Sequence, residues 1–359
     1  MDLQSMLQMM INKKASDLHL RSGNPACVRI DGDLEPISSE AVPAAEVEAM
    51  LMRIIPPRAK SIFEARQECD FSFQVGEIAR FRVNAFHQRQ LLSLAIRLIT
   101  MKIPSMEDLH LPVATIKKIA DNSRGMVLVT GITGSGKSST LAAIIDYINS
   151  TRAEHILTIE DPIEFVHKDK KAIISQREIG EDTENYVEAL KMAMRQDPDV
   201  ILMGEMRDAE SCSAAMTAAE TGHLVFGTVH TLDAMQTVTR IIDLYPPHQQ
   251  PLVRIQLADT LKAVISQRLL PCLKGGRVPA MEIMTVTAHV RKQIEDSSSV
   301  GIAQAIAKGQ FYGMQTFNQS LVKLYRDGLV SEKDALEAAT NPDDLKLAIR
   351  GIEQEVRTG

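Results

Sequence analysis

Gly131-Ile132-Thr133-Gly134-Ser135-Gly136-Lys137-Ser138 follows the pattern G-x-x-x-x-G-K-[ST], a phosphate-binding loop. Before it, Gly125-Met126-Val127-Leu128-Val129-Thr130 reads as a short, fully buried strand. After it, the run from Ser139 to Ile148 has the apolar spacing and residue types of an α-helix. Glycines let such a loop turn its N–H groups inward around phosphate oxygens, and the helix N-terminus adds a favourable dipole. In this pattern Lys137 reaches the β- and γ-phosphates, and the Ser138 hydroxyl joins the shell of Mg²⁺. The expected ligand is a nucleoside triphosphate with Mg²⁺. Its expected contacts are Gly131, Ile132, Thr133, Gly134, Ser135, Gly136, Lys137 and Ser138, with Ser139 just beyond.

Working outward, 359 residues allow two or three domains with a sizeable core. Hydrophobic residues at 45% and charged residues at 24% are ordinary for a globular chain. No apolar run approaches the roughly 20 residues that span a bilayer. The N-terminus lacks the basic start and apolar core of a signal peptide, so a cytosolic protein is expected. Cys27, Cys69, Cys212 and Cys272 are scattered without a C-x-x-C pair, which removes a zinc ribbon and fits reduced thiols.

The first hundred residues differ in pattern from the rest. An amphipathic helix (Leu3, Met6, Leu7, Met10, Ile11) precedes an alternating strand at Ser16–Leu20 and a hairpin at Cys27–Leu34 turning at Asp31-Gly32. One helix is expected from Ala44 to Arg66, then strands at Asp70–Val75, Arg80–His87 and Leu91–Ile99. That is a small α+β domain, residues 1–100. Residues 101–112, with Pro104 and Pro112, read as a linker.

From Val113 strands and helices alternate, with strands at Gly125–Thr130, His155–Glu160, Lys171–Gln176, Val200–Gly204 and His223–Val229. Helices between them imply a doubly wound α/β domain, residues 113–359, with the glycine loop at a strand's carboxyl end. Beyond about Leu244 the chain is expected to be mainly helical to Gly359.

Three further motifs carry chemistry. Val200-Ile201-Leu202-Met203-Gly204-Glu205 is an apolar strand ending in an acid, which can hold Mg²⁺ through water or polarise the attacking water. Ile156 to Phe165 is a second apolar strand, ending in acids around Pro162. Pro162 fixes a turn that aims Glu164 into the same cleft, where a carboxylate can act as general base; a solvated acidic turn is the plain alternative. His223 and His230 bracket another apolar strand. Seven positions is about 23 Å, too far for a metal pair, but the two can sense a γ-phosphate and relay its presence. In the first domain Arg80 and Arg82 share a strand face and Arg97 punctuates another strand; they are either a solvated basic face or arginine fingers.

Taken together, these motifs resemble the secretion-superfamily ATPases, and within them the type IV pilus retraction ATPases of the PilT kind. The resemblance runs through Ser16–Leu20, Ala79–Phe86, Gly131–Ser138, Thr158–His167, Arg195–Val200, Gly204–Asp208 and Ala219–His223. It implies a PAS-like N-terminal domain, a RecA-like ATPase domain with a helical C-terminal portion, and a homohexamer. It implies that the triphosphate is ATP. It implies that Glu164 is catalytic, that Glu205 is the Walker B acid and that His223 and His230 form a His box. Arg82 and Arg97 match arginines that reach nucleotide, with Arg80 a third. Implied partners are the inner-membrane pilus platform protein and pilus machinery, with peripheral association at the cytoplasmic face of the inner membrane.

The chain departs from that family's pattern in two stretches. Ala288-His289-Val290-Arg291-Lys292-Gln293-Ile294 stands where retraction ATPases carry A-I-R-N-L-I, and Asn341–Leu347 extends past the usual end, as in the accessory PilU-like branch. The four-cysteine insert of extension and secretion members is missing, which favours retraction. A RecA-type nucleic-acid motor needs a basic, aromatic-dotted channel. Aromatics at 4% and a net charge of −6 speak against it, so no nucleic acid is expected. A nucleotide-regulated scaffold without turnover is disfavoured by the intact acids.

Overall fold

Residues 1–30, 32–76, 79–99 and 102–351 are described by the structure, a computed structural model. The chain divides into two units, Met1–Lys102 and Ile103–Gly359. Each is treated by itself.

In the first unit Asp2 caps helix α1 (Leu3–Asn12) by accepting the Ser5 N–H at 2.8 Å, and Leu3, Met6, Leu7 and Met10 are its buried face. Strands β1 (Asp17–Arg21), β2 (Cys27–Ile30) and β3 (Asp33–Pro36) follow. The expected hairpin turn keeps Gly32, while Asp31 lies outside the described residues. The single helix expected over 44–66 is two, α2 (Ala44–Ile54) and α3 (Pro57–Arg66). Pro56 has no N–H to continue α2 and pushes Ile55 into an extended conformation (φ −72, ψ 124); Pro57 then opens α3. Strands β4 (Glu68–Val75), β5 (Ala79–Gln88) and β6 (Leu91–Ile99) complete an antiparallel sheet ordered β3-β2-β1-β6-β5-β4. Along β5 the residues Ala79, Phe81, Val83 and Ala85 are buried, so Arg80 and Arg82 take the opposite face.

The second unit opens with α4 (Val113–Ala120), β7 (Gly125–Thr130) and α5 (Lys137–Thr151). All six residues of β7 are buried, each large aliphatic side chain contributing about 1.5–3 kcal/mol of transfer free energy. Then come β8 (His155–Glu160), β9 (Ile173–Glu178), α6 (Tyr186–Ala193), β10 (Val200–Met203), α7 (Ala209–Glu220), β11 (Leu224–Val229), α8 (Ala234–Asp243) and α9 (Gln250–Thr260). Two corrections to the expected alternation arise here. Strand β9 starts two residues later than Lys171, and residues 161–172 connect β8 to the parallel β9 without a helix.

A larger correction concerns the C-terminal part, which is not purely helical. Strands β12 (Leu261–Pro271) and β13 (Arg277–Thr285) form an antiparallel hairpin around Gly275 and Gly276, both left-handed. Most of β12 is buried on both faces, so it lacks the alternation that marks a half-exposed strand, and its Leu, Ala, Gln and Arg residues are good helix formers. The sheet order is β13-β12-β7-β11-β10-β8-β9, parallel from β12 to β9 with β13 antiparallel. Helices α10 (Ala288–Glu295), α11 (Ser299–Lys308), α12 (Phe317–Arg326), α13 (Glu332–Ala338) and α14 (Pro342–Ile349) end the described chain; 352–359 of the expected helical tail lie outside it. Among the described residues no helix is long and apolar enough to cross a membrane.

Candidate functional site

The site is built at the carboxyl ends of β7, β8, β10 and β11. Gly131 (φ 144), Gly134 (φ 78) and Gly136 (φ 91) bend the loop between β7 and α5 into a shape closed to ordinary L-residues. At Gly131 space forbids a side chain as well: a Cβ would stand 2.5 Å from Ser135 Oγ and 2.6 Å from the carbonyl of Gln267 on β12. Lys137 is the first residue of α5, and its Nζ donates to the carbonyls of Gly131 (2.8 Å) and Ile132 (3.0 Å). Burial lowers its pKa, opposed by the charges of Glu205 and Glu164.

A cleft of about 200 Å³ faces the loop, lined among others by Thr133, Gly134, Lys137, Ser138, Glu160, Glu164, Glu205 and His230. Glu205 follows β10 and pairs with Arg207 at 2.6 Å, while His230, just past β11, approaches its other oxygen at 3.3 Å. Burial pushes the Glu205 carboxyl up, but Arg207, His230 and Lys137 together outweigh it and hold the group below the usual carboxylate range. Glu160, at the end of β8, is half-buried, and desolvation raises its pKa against hydrogen bonds from Thr158 Oγ1 (2.6 Å) and Gln176 Nε2 (3.1 Å). Glu164 is exposed at the rim. The absence of a crossover helix between β8 and β9 is what lets residues 161–167 border the cleft, with Ile163 N–H bound to Glu178 at 3.3 Å.

On the other side of the loop lies a second cavity, sharing Gly134, Lys137, Ser138 and Glu164 with the first. Leu109, Leu111, Leu269 and Pro279 give it apolar walls, and Gly136, Ser139, Gln267 and Arg277 line it too. The first cavity is carboxylate-rich; the second is mixed, with one apolar wall beside Ser139, Thr140, Gln267 and Arg277, and the phosphate loop lies between them. That division suits a nucleotide, polyphosphate towards the acids and base towards the apolar wall.

Ser135 Oγ is buried in the loop with no hydrogen-bond partner, and three left-handed glycines shape the cradle around it. These residues fit a triphosphate. They fit Mg²⁺ as well, since Ser138, Glu164 and Glu205 border one cleft. Among the described residues no group of three or more His, Cys, Asp or Glu could hold an ion alone. Mg²⁺ characteristically keeps water and phosphate ligands beside one or two protein groups, so an all-protein cage is not what the chemistry demands.

Not every expected site residue gathers here. His223 sits at the amino end of β11, a strand length of roughly 20 Å from His230, and its Nδ1 lies 2.9 Å from the Ala218 carbonyl. It is not among the residues lining either cavity. Arg80, Arg82 and Arg97 belong to the first unit. There Arg82 stands directly opposite Arg97 across β5 and β6, and Arg97 Nε bonds Asp17 Oδ1 at 2.8 Å. Like charges paired across strands cost stability, and the Asp17 carboxylate beside Arg97 offsets part of that cost.

Sequence reasoning missed Arg207, Gln176 and Tyr186. Arg207 had a signal, lying two residues beyond Glu205. Gln176 and Tyr186 had none, because their proximity to the acids arises from sheet order and helix placement.

The sequence model of the family described as Type II/IV secretion system protein matches residues 1–359. The type IV pilus retraction ATPase PilT of Pseudomonas aeruginosa is 46% identical over 344 residues, covering 96% of this chain and all of that protein. The type IV pilus ATPase PilU of the same organism is 36% identical, covering 98% of this chain and 92% of the relative. A crystal structure of the pilus retraction motor PilT with bound ADP superposes with a TM-score of 0.90 at 43% identity, over 96% of this chain and 99% of that one. The strand order, the glycine loop and the full-length match agree: the chain belongs to the Type II/IV secretion system protein family.

Proposed function

We propose that the chain is an ATP-hydrolysing motor that assembles as a homohexamer and powers type IV pilus retraction, the removal of pilin subunits that underlies twitching motility. The observation that carries this reading is end-to-end similarity to a pilus retraction ATPase, joined to a phosphate loop facing paired carboxylates. Residues 1–100 form the N-terminal domain of the motor, 101–112 the hinge and 113–359 the ATPase domain. Its partners are the inner-membrane platform protein and pilus machinery, met peripherally at the cytoplasmic face, without nucleic acid.

Phosphoryl transfer to water asks a protein for positioning and charge neutralisation more than for covalent chemistry. The loop N–H groups and Lys137 hold the β- and γ-phosphates, with Ser139 and the helix dipole of α5 supporting them. Ser138 and, through water, Glu205 would hold Mg²⁺, which supplies Lewis-acid charge to the phosphate oxygens. Glu164 receives the proton of the attacking water, with Glu205 the competing candidate for that role. His230 reads the γ-phosphate beside Glu205, and His223 relays from the far end of β11. Arg82 and Arg97, with Arg80, supply positive charge against the developing transition state.

Deleting the gene and imaging pili tests the direction of work. Surplus pili with lost twitching support retraction; bald cells overturn it. The 36% relative and the substitutions Lys292 and Gln293 in the stretch 288–294 favour a second reading, an accessory PilU-like ATPase. In that case deletion reduces retraction force without blocking retraction.

A further inference from the structure

Outside the cleft, on β13, Glu282 is a mostly buried carboxylate. Its Oε1 accepts the backbone N–H of Ala234, the first residue of α8, at 2.9 Å. Charged and titratable neighbours are Asp233, the cap of α8, and Arg268 on β12. Arg268 is drawn elsewhere, stacked 3.8 Å from the Phe317 ring centre and donating to the Ala338 carbonyl at 2.7 Å. Burial therefore dominates and pushes the Glu282 carboxyl up to about 7, further raised by Asp233. A carboxyl held in so unfavourable a place needs a reason.

The reason lies four residues upstream of Ala234. His230, which approaches Glu205 at 3.3 Å, leads directly into α8 through Thr231, Leu232 and Asp233. That short connection is a single hydrogen-bonded hook. Asp233 accepts the Gln236 N–H at 2.7 Å, and the Thr231 and Thr237 hydroxyls lie 2.7 Å apart. Thr237 Oγ1 also donates to the Asp233 carbonyl at 2.7 Å. Beyond the packing of Ala234 and Val238 in the apolar core, the hook has polar contacts to Glu205 through His230 and to Glu282 through Ala234. The strand carrying Glu282 belongs to the same sheet as the phosphate loop. Its register partner Ser266 accepts from Thr130 Oγ1 at 2.8 Å, and Thr130 is the residue before Gly131.

We propose that Glu282 is a positioning residue of the nucleotide site: from β13 it holds the first turn of α8, and so fixes the hook that presents His230 to Glu205. This rests on the ATPase reading above. It assigns the hairpin β12–β13 a part in catalysis beyond completing the sheet.

The test removes the hydrogen bond from both sides in the full-length chain. Glu282→Ala deletes the acceptor. Ala234→Pro deletes the donor at a first helical position whose backbone accepts proline, after an Asp233 already extended (φ −154, ψ 172); because Ala234 is fully buried, its kcat is compared only with a melting temperature within a few degrees of wild type. Each is expected to lower kcat about tenfold, with ADP affinity within twofold of wild type. The double variant should be no worse than either single, because both remove one contact. Glu282→Gln keeps an oxygen acceptor and should retain turnover within twofold. Hydrogen exchange across residues 230–240 should quicken in Glu282→Ala and not in Glu282→Gln.

Turnover of Glu282→Ala and Ala234→Pro within twofold of wild type, while Lys137→Ala is dead, overturns the proposal and leaves the ATPase reading standing. Losses that multiply in the double variant overturn it too. So does a fall in nucleotide affinity parallel to kcat, which is the mark of a merely structural role. If Glu282→Ala does not fold, Ala234→Pro and Glu282→Gln decide alone. A wild-type chain that does not hydrolyse ATP at all sinks the ATPase reading first.

Discussion

Lys137 holds a charge at the edge of the core without supporting the core itself. Its ammonium is bound by two loop carbonyls and its stem is packed, yet the aliphatic clusters of the second unit close without it. Lys137→Ala should therefore reduce ATP hydrolysis by at least about a hundredfold and weaken triphosphate binding, with a melting temperature within a few degrees of wild type. A variant with near-normal hydrolysis removes the phosphate loop from the mechanism. The two acids are separated by their surroundings. Glu205 is engaged by Arg207 and His230, an arrangement suited to holding a fixed negative charge, whereas Glu164 stands exposed at the rim. Glu164→Gln should bind ATP normally and lose about 10²- to 10⁴-fold in kcat, the span expected for a general base. Should Glu164→Gln turn over like wild type while Glu205→Gln is dead, the base is Glu205.

Among the elements, those whose residues share one local reason were legible. The loop 131–138 and its flanking strand and helix were read in place, because glycine conformation, buried strand and helix start are all local. Acid-ended strands β8 and β10 were legible for the same reason. What escaped depends on distant partners. The break at Pro56-Pro57 is the exception, a local signal written in the chain. The β12–β13 hairpin was hidden because burial on both faces erases alternation. Gln176 and Tyr186 reach the acids only once the sheet is ordered. That hairpin matters to the loop: the Gln267 carbonyl on β12 stands where a Cβ on Gly131 would go. Gly131→Ala should therefore destabilise the second unit by a few kcal/mol, since backbone cannot yield cheaply. Gly134→Ala, with open space around its Cβ and only the strain of φ 78, should cost about 1 kcal/mol. Comparable melting temperatures for the two variants would show that β12 does not brace the loop.

At the scale of the whole molecule the question is whether one chain contains a complete site. The phosphate loop and the carboxylates belong to the second unit, while Arg82 and Arg97 belong to the first, opposed to each other across neighbouring strands. If these arginines complete a site on another copy, activity must depend on assembly, and specific activity should rise steeply with protein concentration through the assembly range. Mixing then supplies a sharper test. Lys137→Ala subunits lack a working phosphate loop and Arg82→Ala subunits lack the arginine, so each alone should be inactive. In mixed rings some sites combine an intact loop from one chain with an intact arginine from its neighbour, and part of the activity should return. If loop and arginine of each site come from the same chain, every site carries one defect and no ratio restores activity. Dead subunits can also block a closed ring, so the mixing ratio is varied and activity is followed as a curve rather than at one point. A curve that stays at zero for every ratio, with wild-type specific activity independent of concentration, rejects the shared site and returns the arginines to a local role in the sheet of the first unit.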